Sequence, residues 1–208
     1  MTFPDGSDPE QLLHFAQLGE RDSLGRLLEM YRSYLALLAR LGIDHRLQGK
    51  ADASDLVQET FLQAYSAFSD FRGSSEAELL CWLRRILSSK LAKLVRRFYA
   101  AQRRDVRLEQ NLDEELDRSS QMVQALIWPG SSPSQRTVRR EQAVLLADAL
   151  QKLPADNREV IILHHLQELP LREVALRMGR SEDGVERLWV RSLAVLQRAL
   201  KGEFDDRT

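Results

Sequence analysis

One cysteine, Cys81, in 208 residues leaves no partner for an internal disulfide and no Cys-rich zinc site, and the four histidines show no ligand spacing with it. Metal, cofactor and redox chemistry therefore have no visible seat. No apolar run approaches the roughly 20 residues that cross a bilayer, and the opening MTFPDGSDPEQ lacks the basic start and apolar stretch of a signal peptide. The expectation is a cytoplasmic protein without membrane insertion. Prolines number six and glycines ten, both clustered, and nothing alternates with the two-residue period of a strand, so the expected fold is all-α. Net charge is also scarce, at -1. That value alone argues against a nucleic-acid partner, since neutralising phosphates takes Lys and Arg.

The local charge distribution reverses that argument. Between Leu83 and Arg107 nine basic residues face one acid, Asp105. From Val106 to Pro133 the sign inverts, with Arg107 and Arg118 against Glu109, Asp113, Glu114, Glu115 and Asp117. Such segregation suggests a nucleic-acid surface beside an acidic segment with another task, although solvated helix faces would give the same runs. With 43% hydrophobic and 29% charged residues, the chain has the composition of a soluble globular protein and the length for two domains of roughly 100 residues.

Apolar spacing is helical almost throughout. An amphipathic segment from Asp8 to Leu41 carries Leu12, Phe15, Leu18, Leu24, Leu27, Leu28, Tyr31, Leu35 and Leu38 at three- and four-residue steps, with a break expected near Gly19. A second helix is expected to begin at Asp52 as N-cap and to turn Val57, Phe61, Ala64 and Phe68 inward. After the loop Ser69 to Glu78 a long basic helix runs from Leu79 to about Gln102. The stretch 105–134 has weak periodicity and ends in turn formers, WPGSSPS, so it reads as a linker, within which MVQALIW is apolar enough to dock on something. Helices follow to Leu153, through NREVIILHHLQ, through PLREVALRM, and from Ser181 to Lys201. His164 and His165 read as ordinary helix residues.

The segment LREVALRMGRSEDGVERLWVRSL has the form of a helix-turn-helix: a short helix, a turn at Gly179, an N-cap at Ser181 and a second helix suited to the major groove. At 100° per residue, Val185, Leu188, Ser192 and Leu196 share one face, leaving Asp183, Arg187, Val190, Arg191 and Ala194 on the other. Arg187 and Arg191 can then reach guanine edges or phosphates, and the free amides at Ser181 can meet a phosphate. A helical hairpin with solvated arginines is the structural alternative.

Two stretches carry a family resemblance. DLVQETFLQAYSAFSDFRG followed by WLRRILSSKLAKLVRR resembles regions two-point-two to two-point-four of sigma-70 family factors, and LQKLPADNREVIILHHLQELPLREVALRMGRSEDGVERLWVRSLAVLQRAL resembles their region four. Their order and separation are similar to the extracytoplasmic-function class. The resemblance implies two helical domains, a region-two bundle at 8–104 and a region-four helix-turn-helix at 135–202, joined by a flexible linker at 105–134. It further implies a non-enzymatic factor that binds core RNA polymerase through the beta-prime clamp helices and the beta flap. Promoter DNA is the second partner, and in many relatives an anti-sigma protein is a third.

Carried over by position, Asp55, Gln58 and Glu59 become exposed polymerase contacts, although Asp55 and Glu59 also suit the first turns of a helix on electrostatic grounds alone. The loop and basic helix become the part that melts and captures the minus-ten element, with charge from Arg84, Arg85, Lys90, Lys93, Arg96 and Arg97 and aromatic surface from Phe71, Trp82, Phe98 and Tyr99. Of these, Trp82 reads more readily as core than as a stacking platform. Arg180, Ser181, Glu182, Asp183, Glu186, Arg187 and Arg191 become the minus-thirty-five set. The family commonly has an Asn and, four residues later, an Asp in the basic helix; here Ser89 and Lys93 stand there, which leaves the preferred minus-ten sequence open. Two other classes compete. A simple helix-turn-helix regulator gives no reason for DLVQETF followed by a basic aromatic helix, and a recombinase-like enzyme needs a nucleophile or carboxylate cluster on an α/β scaffold that the sequence does not display.

Overall fold

The computed structural model describes residues 8–43, 52–99 and 136–205, and every described element is helical. The linker at 105–134 lies outside the described residues. The chain divides into two compact units, Met1–Ser120 and Gln121–Thr208.

In the first unit α1 (Pro9–Gln17) starts at Asp8, whose side chain accepts the Glu10 amide at 3.1 Å. It ends where Gly19 takes φ 98°, which glycine adopts without steric cost. Helices α2 (Arg21–Met30) and α3 (Arg32–Gly42) follow. Periodicity announces the break at Gly19 but not the second one, at Tyr31. There the ring is fully buried and the hydroxyl donates to Glu76 Oε1 at 2.8 Å, so a long-range contact sets the bend. Phe15 and Leu18, expected on the inward stripe, are exposed instead.

Helix α4 (Ala53–Ala67) is capped by Asp52, which accepts the Ser54 amide at 2.9 Å. It packs against α3 and against α5 (Glu76–Tyr99). Its buried residues are Leu56, Val57, Thr60 and Ala64, the hydroxyl of Thr60 being satisfied by the Leu56 carbonyl at 2.7 Å. The inward face is thus rotated from the one expected. Phe61 and Phe68 stand at its half-buried margin, where Arg32 covers the Phe61 ring at 5.0 Å. Leu27, Leu35, Leu38, Leu79, Leu83, Leu87 and Leu91 form the fully buried centre.

In the second unit α6 (Arg136–Lys152) leads to α7 (Ala155–Val160), which opens after Pro154 and widens into a π-turn at Ile161–Leu166. Helices α8 (Leu171–Met178) and α9 (Glu182–Asp205) complete it. Leu146, Leu150, Val160, Ile161, Val174 and Val185 meet in its core.

Candidate nucleic-acid interface

Helix α8 stops at Gly179, whose φ of 63° is left-handed and admits the turn of a helix-turn-helix. Ser181 caps α9: its Oγ accepts the Gly184 amide at 3.2 Å and its carbonyl accepts the Val185 amide at 3.0 Å. Val185 and Ser192 are fully buried and Leu196 nearly so, with the Ser192 hydroxyl donating to the Leu188 carbonyl at 2.7 Å. Opposite them, Asp183, Arg187, Val190, Arg191 and Ala194 are exposed, and Glu182 and Glu186 are exposed on the flank. Arg180 is not free for DNA in the same sense, because its guanidinium is ion-paired with Asp156 in the first turn of α7.

The histidines do more than the sequence indicates. His164 Nδ1 donates to the Leu169 carbonyl at 2.7 Å, and its ring stands edge-on to Trp189 at 4.8 Å, bracing α9 against the π-turn. Only the wide turn, which period counting does not reveal, places it there. Desolvation, and next the neighbouring His164, hold His165 below the usual imidazole value.

The six cations assigned to the basic helix do not act alike. Arg85, Lys93, Arg96 and Arg97 are exposed, and with the half-buried Ser89 between them they line one stripe of α5 at steps of four, four, three and one. Arg84, one residue earlier, is half-buried off that stripe. Lys90 turns toward α4, its Nζ 3.6 Å from Glu59 Oε2 and its side chain 17% exposed.

Phe71 requires a correction. It is 8% exposed, stacked on Phe68 at 5.7 Å and tilted against Trp82 at 5.2 Å, so it offers no free ring face. Hydrophobic burial among three rings outweighs exposure. Trp82 belongs to the same cluster, 6.2 Å from Phe68 and half-buried, closer to core than to platform. The side chains of Phe98 and Tyr99 lie outside the described residues.

This cluster shapes the loop ahead of α5. Glu78 accepts the Ser74 amide at 2.8 Å, the Ser75 amide at 3.2 Å and the Ser75 hydroxyl at 3.0 Å, while Ser75 Oγ takes the Glu78 amide at 3.4 Å. The reciprocal pair is a capping box, and the bond from the Ser74 amide leads in lowering the Glu78 carboxyl below its ordinary value. From the other side Gln17 Nε2 donates to the Gly73 carbonyl at 2.7 Å, tying the loop to α1.

Asp55, Gln58 and Glu59 stand exposed on the outer face of α4. That face continues into Leu62, 66% exposed, and Tyr65, whose hydroxyl donates to the Arg21 carbonyl at 2.6 Å. Neither carries a charge or an amide, so polar patterning along the chain does not single them out. They border a groove of about 820 Å³ lined also by Gln17, Arg21, Phe68 and Arg72.

Two helical units, one presenting a charged helix-turn-helix face and the other a cationic helix stripe behind a braced loop, define a DNA-binding protein of bipartite design. The family model for sigma-70 region 2 matches residues 30–101, and that for sigma-70 region 4 matches residues 143–196. The chain is 30% identical to the ECF RNA polymerase sigma factor BldN of Streptomyces coelicolor, over 94% of this chain and 67% of that one. It is 29% identical to the RNA polymerase sigma factor NccH of Alcaligenes xylosoxydans, over 95% and 97%. The solved complex of CnrH with the cytosolic domain of CnrY aligns over 94% of this chain and 99% of that chain, with 26% identity and a TM-score of 0.34. The chain belongs to the sigma-70 family, in its extracytoplasmic-function class. It is a transcription initiation factor that directs promoter-specific initiation. No helix among the described residues is long and apolar enough to cross a membrane.

Proposed function

We propose that this sigma factor divides its work among three surfaces and performs no chemistry of its own. The outer face of α4, with Asp55, Gln58 and Glu59 extended by Leu62 and Tyr65, docks on the beta-prime clamp helices of core RNA polymerase, and the beta flap receives the region-four unit. The stripe Arg85, Lys93, Arg96 and Arg97 holds the opened minus-ten strand as a positive track. Helix α9 reads the minus-thirty-five element in the major groove. Residues 8–104 and 135–202 are the two working domains, 105–134 is the linker, and the cytoplasm, where polymerase and DNA meet, is the site of action. An anti-sigma protein is the third partner that the family resemblance brings with it.

The observation that carries this reading is the division of α9 into a buried stripe, Val185, Ser192 and Leu196, and a charged outer face. A regulator without sigma activity would need the same helix but not the exposed α4 face. The purified chain is expected to bind core polymerase, and Asp55→Arg with Gln58→Ala to weaken that binding without unfolding the chain, since both side chains are exposed and the charge reversal in the first turn of α4 costs at most about 1 kcal/mol. Unchanged affinity at an unchanged melting temperature would remove them from the interface.

Arg187 and Arg191 differ in depth. Arg187, nearer the N-terminus of α9, is placed to read a guanine, a contact worth about 1–3 kcal/mol of discrimination. Arg191, one turn later, is placed on the backbone. Arg187→Ala is expected to relax preference at one or two minus-thirty-five positions. Arg191→Ala is expected to weaken all sequences evenly and to lower the salt slope by about 0.9, one phosphate's share. Promoter-library selection with salt titration checks this; exchanged phenotypes would mean that the helix sits rotated by about one residue, and two silent variants that α9 does not read DNA.

A further inference from the structure

Resting on the reading of α9 as the minus-thirty-five helix, we infer that Val190 is a sequence-specificity residue whose side chain reads the 5-methyl group of a thymine in the major groove. Val190 is 57% exposed, one of two large hydrophobic side chains that stand out to this degree among the described residues of the second unit, the other being Leu176 on α8. A lone apolar residue on a surface is ordinary. Its company is what distinguishes this one. At 100° per residue Asp183, Arg187, Val190 and Ala194 fall within a span of about 60°, with Arg191 beside them, directly opposite the buried Val185, Ser192 and Leu196. Val190 therefore stands at one edge of that span, on the face that the packing of α9 turns outward.

Charge narrows what that face can meet. Glu182, Asp183 and Glu186 are exposed beside Arg187 and Arg191, three carboxylates to two guanidiniums within ten residues. A phosphate ridge repels such a helix start, whereas base edges in the major groove offer amino donors that carboxylates accept and guanine acceptors that arginine meets. Apart from Arg191, assigned to the backbone, the face is thus suited to bases, and of the groups that bases present there only the thymine methyl is apolar. Val190 has no hydrogen-bonding atom in its side chain, so burial against that methyl is the one favourable contact open to it. Three residues of helix advance about 4.5 Å, against about 3.4 Å per base step, which places the thymine one or two steps from the guanine assigned to Arg187.

The test uses the full chain bound to core polymerase. A random duplex pool is first selected with the wild-type holoenzyme, and each thymine of the recovered minus-thirty-five sequence is then replaced singly by deoxyuridine, which deletes only the methyl. At one thymine, one or two steps from the guanine whose preference is lost in Arg187→Ala, wild type is expected to lose about fourfold in affinity, the equivalent of about 0.8 kcal/mol for one buried methyl. Val190→Ala is expected to bind that site about as weakly with thymine as wild type binds it with deoxyuridine, and to be indifferent to the replacement. Val190→Thr, which keeps one branch methyl, is expected to retain part of the discrimination. Thermal melting of each variant should match wild type, since the truncated atoms are exposed. If the deoxyuridine series is the same for wild type and Val190→Ala while Arg187→Ala still alters selection, Val190 reads nothing and only this inference is overturned. If Arg187→Ala and Arg191→Ala are also silent, the reading of α9 falls, and this inference with it.

Discussion

Val185→Asp is expected to unfold the helix-turn-helix unit while the first unit still binds core polymerase. Val185 is fully buried on α9, the helix that packs on α7 and α8. An unpaired charge at such a site costs several kcal/mol, against a total stability of about 5–15 kcal/mol for a typical domain. The loss should appear as reduced helicity and a low-temperature transition in the melt, with promoter selection lost at minus-thirty-five. Polymerase affinity through the α4 face should survive in part. A variant with full helicity and wild-type selection would show that α9 does not pack on this face. Ser192→Ala makes a companion control: it removes a hydroxyl that donates to the helix's own Leu188 carbonyl, so its effect should be small.

The second large effect is expected at Gly73. A Cβ added there would stand 2.7 Å from the Glu78 Cβ and under 3.0 Å from the Phe71 ring. Neither neighbour can yield cheaply, because the ring is held by Phe68 and Trp82 and Glu78 belongs to the first turn of α5. Gly73→Ala should therefore cost about 1–3 kcal/mol of overpacking and disturb the bond from Gln17 to the Gly73 carbonyl. The open complex is expected to form about 5–150-fold less, with polymerase affinity unchanged. Permanganate reactivity of the melted thymines measures it, and a template with a premelted bubble is expected to restore initiation. Wild-type opening by Gly73→Ala would show that the loop does not shape the melting site.

Much of this protein could be read along the chain. The Asp52 and Ser181 caps, the turn at Gly179 and the two faces of α9 follow from local rules: a short acceptor before a helix, a residue that tolerates positive φ, and a 3.6-residue period imposed by one apolar partner. Such features need only a few neighbouring residues, so composition and spacing suffice. The charge run of α5 was visible in the same way, but not its division, since which of Arg84, Arg85 and Lys90 faces solvent depends on where α4 lies and on Glu59, 31 positions upstream of Lys90. Long-range packing decided the remainder. Tyr31 bends the chain because Glu76 receives its hydroxyl, Phe71 is buried because Phe68 and Trp82 converge on it, and His164 braces Trp189 across the π-turn. Each of these joins groups that sequence periodicity treats as independent. A face that packs on a single neighbour is determined by its own period, whereas a ring or charge enclosed by several elements takes its role from a geometry that exists only once they have come together.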